Sequence, residues 1–145
     1  MTAAFVFQLV NALVLPAWIS LVFFPKKSWR PLVVYTIALI MALVYAVYVI
    51  SGLDQFNAEA FSTLAGVKAL FATDQAILTG WIHYLVFDLL VGHWLLQESQ
   101  KHNIPHAWMI PCLLLCFMFG PVGFLAYTLV RSIYRFKAKT STNNS

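Results

Sequence analysis

Asp88 lies in the middle of an apolar run. It stands inside Trp81-Ile82-His83-Tyr84-Leu85-Val86-Phe87-Asp88-Leu89-Leu90-Val91-Gly92-His93-Trp94, and it is the sole acid within any apolar run of the chain. An ionisable side chain near a bilayer centre costs about 2.5–3.5 kcal/mol on insertion scales, so it marks a functional group or a required partner. Asp88 could tie helices together by a hydrogen bond or ion pair. It could equally be a buried acid that handles a proton or a polar ligand group. At about 100° per residue, Trp81, Tyr84, Asp88 and Gly92 share one helical face. His83 leaves the helix about 140° away from Asp88, on the side of Phe87, Leu90 and Trp94. His93 points a third way, with Gln97, and reads first as structural.

Facing groups come from two other runs. Gln8, Asn11, Leu15 and Trp18 form a stripe that brings the Asn11 amide to a depth similar to that of Asp88. Cys112, Cys116, Gly120, Gly123, Tyr127 and Arg131 line one face of the last run. Small residues there let helices approach closely, and with aromatics opposite they would also admit a flat, rigid, apolar ligand. On the functional reading Asp88 and His83 act on the ligand, while Trp81, Tyr84, Asn11, Tyr127 and His93 line it. No metal is expected: Cys112 and Cys116 supply two thiols, and a zinc site wants four ligands. A bis-histidine haem is disfavoured too, because His83 and His93 share one helix and His102 and His106 lie in a polar break. No cofactor is expected.

The elements that must position these residues are helices in a membrane. The chain has 145 residues, 61% hydrophobic and 10% charged, against roughly 45–50% apolar and about 25% charged in soluble domains. Four apolar runs are separated by three polar breaks. The first covers Ala3 to Phe24, with Pro16 inside. The second starts at Pro31, a favoured first helical position, and ends near Ser51. The third, Gln75 to Gln97, follows an N-cap signal at Thr73-Asp74. The fourth, Ala107 to Val130, is interrupted by Gly120-Pro121-Val122-Gly123. Between Asp54 and Asp74, Ala60, Leu64, Val67 and Phe71 fall on one face, which fits a short interfacial helix or a plain loop. The expectation is an all-α integral membrane bundle of four transmembrane helices in a single domain, residues 1–133, with a polar C-terminal tail at 134–145.

The net charge of +4 reflects Lys and Arg placed at span ends, which suits lipid headgroups and gives no nucleic-acid face. Four spans would put both termini on one side. The Lys and Arg residues then divide four against five, and the positive-inside rule leaves the orientation open. The first run, with no basic residue before it, reads as a retained span and not as a targeting segment.

The third run also carries a resemblance. Ala72-Thr73-Asp74-Gln75, then Gly80-Trp81-Ile82-His83, four residues and Asp88-Leu89 resemble the family of the plant neoxanthin synthase, the abscisic-acid-deficient-four-like proteins. The likeness extends to Leu15-Pro16 and Pro25-Lys26, to Gly66 with Leu70-Phe71, and to Cys112-Leu113-Leu114 with Gly120-Pro121-Val122-Gly123. It covers about residues 5–130. His93 stands where many members have Arg. The resemblance implies a four-helix protein of carotenoid-producing membranes that acts on a carotenoid or related isoprenoid. In plants the family is tied to opening a 5,6-epoxide and forming an allene, an isomerisation. That chemistry asks for an acid at the epoxide oxygen and a base for a neighbouring C–H proton, which would fall to Asp88 and His83. The location expected is a bacterial cytoplasmic membrane, or a plastid membrane if the protein is plant-type. The other reading is a non-catalytic bundle that binds a pigment or lipid, or joins an oligomer or larger membrane complex.

Overall fold

Helix starts follow the capping chemistry of the sequence. In the computed structural model, which describes residues 2–55 and 57–142, Thr2 caps α1 (Ala3–Phe23) and Thr73 caps α4 (Asp74–Lys101), each hydroxyl accepting a backbone N–H of the first turn. Pro31 sits in the first turn of α2 (Arg30–Ser51), where its missing N–H costs nothing. These three helices are long and apolar enough to cross a membrane. α1 continues through Pro16. The segment between α2 and α4 holds two short 3₁₀ turns and α3 (Leu64–Leu70), with no buried residue in the second turn or in α3. The described elements are all helical.

The three long helices run antiparallel in sequence. Ala3, Ala4 and Phe7 adjoin Asp74, Ile77 and Leu78, so the N-terminus lies at the Asp74 end. At the opposite end the Pro25 carbonyl accepts from Gln100 Nε2 at 2.6 Å and from Arg30 Nη1. Val10, Val14 and Leu21 of α1, Val34 and Met41 of α2, and Ile82, Leu89 and Leu96 of α4 fill the interior. Leu32, Leu43, Val47 and Ile50 face outward, as the outer surface of a bundle in lipid should.

The fourth apolar run corrects the expectation of a single span. It is broken at Gly120 into α5 (His106–Phe119) and α6 (Pro121–Thr142). α5 has 14 residues, about 21 Å at 1.5 Å per residue, short of the roughly 30 Å hydrocarbon thickness. It starts at the Lys101 end, where the His106 ring meets the Val22 carbonyl at 2.7 Å, and reaches Asp88, whose carbonyl lies 3.6 Å from the Cys116 thiol. α6 then returns along α4. Phe124 and Tyr127 pack on Trp94 at 6.2 Å between ring centroids, and Arg131 lies within electrostatic reach of Glu98. The hairpin closes tightly because Gly123 has no Cβ; one there would collide with the Cys116 backbone. The stretch from residue 134, expected as a tail, continues α6 to Thr142.

A consequence is the charge distribution. Lys26, Lys27, Arg30, Lys101, Arg131 and Arg135, with the α6 positions 137 and 139, stand at the Lys101 end. Lys68 alone stands at the other. The even split that four spans would produce therefore disappears, and the two described termini lie at opposite ends.

Candidate functional site

Gly120 and Asp88 meet at the turn of the hairpin. The Gly120 φ of 43° is a conformation that residues with a side chain rarely adopt, and it ends α5 at the depth of the acid. A Cβ at Gly120 would lie 2.6 Å from Asp88 Oδ1, so the backbone touches the carboxyl group directly. The break also frees carbonyls from their helical partners. One of them, Met118 O, accepts the Tyr84 hydroxyl at 3.1 Å. Irregular backbone at membrane depth is tolerated where protein groups satisfy it, and Tyr84 does so here.

The Tyr84 side chain lies beside the Asp88 carboxyl. A phenol has one proton to donate, and Tyr84 gives it to Met118. Oδ2 of Asp88 is buried without a partner. Beyond Tyr84 the wall continues to Trp81, 5.4 Å between ring centroids. Trp81 Nε1 donates to Asn11 Oδ1 at 3.1 Å, and Phe7 covers the indole at 5.7 Å. Asn11, Trp81, Tyr84 and Asp88 thus form one continuous wall across α1 and α4. The helical period anticipated this face of α4. Asn11, expected beside Asp88, pairs with Trp81 about two turns away.

The other candidate residues lie elsewhere. His83 is exposed on the far side of α4, stacked on Phe87 at 4.5 Å and beside Tyr45 at 5.6 Å. The 140° separation from Asp88 expected of a helix holds, so the geometry does not join the two as a dyad on one substrate atom. His93 is buried, edge-on to Tyr35 at 5.1 Å, with both ring nitrogens unpartnered and Arg30 nearby. Tyr127 is 1% exposed, sealed behind Trp94. Two participants are not evident from sequence: the Met118 carbonyl and the chain reversal at Gly120. The Gly-Pro-Val-Gly string is the available signal for both.

Among the described residues no group of three His, Cys, Asp or Glu side chains is placed to hold a metal. The site is a single carboxylic acid and a phenol beside exposed apolar surface, with Trp81 37% and Met118 59% exposed. Such a site can protonate, deprotonate or hydrogen-bond an apolar molecule arriving from lipid.

Comparison with known proteins decides the family. The model of the ABA DEFICIENT 4-like family matches residues 5–127. The chain belongs to the ABA DEFICIENT 4-like family. It is also 27% identical, over 142 residues, to Protein ABA DEFICIENT 4, chloroplastic, of Arabidopsis thaliana, a match that takes in 90% of this chain and 62% of that protein. The chain thus spans less than two thirds of the length of this relative. No solved structure matches the chain. The family match embraces the whole wall from Asn11 to Gly120, including the hairpin turn.

Proposed function

We propose that this ABA DEFICIENT 4-like protein acts on a carotenoid or related isoprenoid, in an isomerisation of the epoxide-opening type, with Asp88 as the proton donor. The observation that carries the reading is the Asp88 carboxyl at the hairpin turn. It has the Tyr84 side chain beside it, a buried Oδ2 with no partner, and aromatic side chains along the same wall. α1, α2 and α4 cross the bilayer, and α5 with α6 re-enters it from the Lys101 end. A substrate dissolved in lipid then reaches Asp88 sideways, along Trp81, Met118 and Phe119.

The proton balance is simple. Asp88 delivers its proton to the epoxide oxygen as the C–O bond breaks, and a base removes a proton from the neighbouring carbon as the new double bond forms. No electrons are gained or lost. With His83 on the opposite side of α4, the carboxylate left on Asp88 is the nearest base, so a single residue can give one proton and take back another. Tyr84, held by Met118 O, packs beside the carboxyl. A plastid membrane is the better-supported location, since the relative named above is chloroplastic; nothing among the relatives supports a bacterial cytoplasmic membrane.

The reading is tested by Asp88→Asn in a strain lacking the protein. Asn retains a hydrogen-bonding group and cannot exchange a proton in this way, so the variant should fold normally and leave the epoxide substrate unconverted. Wild-type product levels at normal stability would remove Asp88 from the chemistry. A second reading, pigment or lipid binding without turnover, draws on the same aromatic wall around one acid. It predicts a co-purifying pigment and an unchanged carotenoid profile on deletion.

A further inference from the structure

A cavity of about 540 Å³ opens at the Lys101 end, between the α1–α2 turn, the last turn of α4 and the start of α5. Its lining includes Pro25, Lys26, Ser99, Gln100, Asn103 and His106, and no acidic residue. The volume lies in the roughly 300–1,000 Å³ range of small-molecule sites. Its walls are fixed from behind: Gln100 Nε2 and Arg30 Nη1 hold the Pro25 carbonyl, the His106 ring is tied to Val22, and the Ser99 hydroxyl is spent on Leu96 at 2.8 Å. Among the described residues, the Lys26 ammonium and the Asn103 side-chain amide line the cavity without a hydrogen bond to its wall. Glu98, the acid at this end, is engaged by Lys101 at 2.6 Å and faced by His102 at 3.7 Å.

Depth identifies the occupant. Phe24 and Trp29, 5.4 Å apart, and Trp108 are exposed at this same end, and aromatic side chains of this kind sit at headgroup level. The cavity is level with them. Lys27, Arg30 and Lys101 stand at this same end, which holds eight of the nine Lys and Arg positions. We propose that this cavity binds the phosphate of an anionic phospholipid headgroup, with Lys26 supplying the charge and Asn103 a hydrogen bond. The acyl chains then run down the apolar flank of α4 and α5. The proposal rests on the placement of the Lys101 end at the bilayer surface and not on the chemistry at Asp88.

The test uses the full chain, purified in neutral detergent and stripped of bound lipid. Thermal unfolding is followed while phosphatidylglycerol, phosphatidylcholine or inorganic phosphate is added, since a ligand of the folded state raises the midpoint. Phosphatidylglycerol should stabilise and phosphatidylcholine should not. Lys26→Gln should weaken the phosphatidylglycerol effect about fivefold, the worth of one juxtamembrane cation. Asn103→Gly, which keeps the left-handed backbone of that residue (φ 52°), should weaken it as well. Arg135→Gln, at the same end outside the cavity, and Lys68→Gln, at the other end, should leave it unchanged. Equal effects of the two lipids would overturn the proposal, as would an equal loss with Arg135→Gln. Saturation of the shift by inorganic phosphate alone would assign the site to a free anion and overturn the lipid. Asp88→Asn should keep the full shift, so this inference and the catalytic reading fail separately.

Discussion

Gly120→Ala isolates the contact on which the candidate site is built. Two penalties are expected. Gly120 has φ 43° and ψ −93°, a combination that costs a residue with a side chain about 1–3 kcal/mol. The new methyl group would also stand 2.6 Å from Asp88 Oδ1, 3.0 Å from Oδ2 and 3.1 Å from Cγ. The carboxyl would have to retreat by roughly 0.8 Å to restore ordinary contact, and overpacking of this kind costs about 1–3 kcal/mol. The loss should total about 2–6 kcal/mol. Gly52→Ala is the control: its Cβ would meet the Tyr48 and Val49 carbonyls at 3.6 and 3.7 Å, so its effect should stay within about 0.5 kcal/mol. Reversible unfolding in mixed micelles measures both. Adding Asp88→Ala to Gly120→Ala should recover about 1–2 kcal/mol of the loss, since only the steric share is relieved. Equal midpoints for the two glycine variants, or strict additivity with Asp88→Ala, would refute the contact.

Reporters fused to the two ends should locate on opposite faces of the membrane, with the C-terminal one on the cytoplasmic or stromal side by the positive-inside rule; a common location would restore an even number of crossings. Trp81→Phe should cost about 1 kcal/mol, because it removes the donor to Asn11 while keeping the aromatic contact with Phe7; an unchanged unfolding midpoint would count against that bond. Tyr84→Phe leaves the Met118 carbonyl unsatisfied and should cost about 1–3 kcal/mol, with lowered turnover at Asp88 if the phenol positions the acid. Normal stability and normal turnover together would show that Tyr84 does neither.

The face of α4 was legible because a regular helix obeys its period wherever it lies: Trp81, Tyr84 and Asp88 needed only their spacing. The cap at Thr73 was legible for a similar local reason. The fold of the last run was not. Hydropathy adds up residues along the chain and does not register a reversal of direction, so Ala107 to Val130 counts as enough to span. What reverses it is one glycine at positive φ and a second, Gly123, that lets the returning helix touch Cys116. The reversal puts the two described ends of the chain at opposite ends of the bundle and gathers most basic positions at one of them. Asn11 was placed at the right wall and beside the wrong residue, because depth along two tilted helices is not a sequence quantity. Buried His93 and Arg30 have no local pattern at all: an Arg beside Pro-Lys-Lys looks like the rest of a basic loop until Pro25 is seen to hold it.

The hairpin also bears on how the chain is made. A fourth crossing in the usual sense would require Arg131, Arg135, Lys137 and Lys139 to be carried through hydrocarbon, and each such residue at a helix centre costs about 2.5–3.5 kcal/mol on the insertion scale. With α5 dipping in and α6 coming back, the basic residues of α6 stay at the Lys101 end and need not cross. α4 is then the last helix that has to cross. The residues after Lys101 can fold by wedging into a bundle that is already in place, with Asp88 as the floor on which the wedge comes to rest.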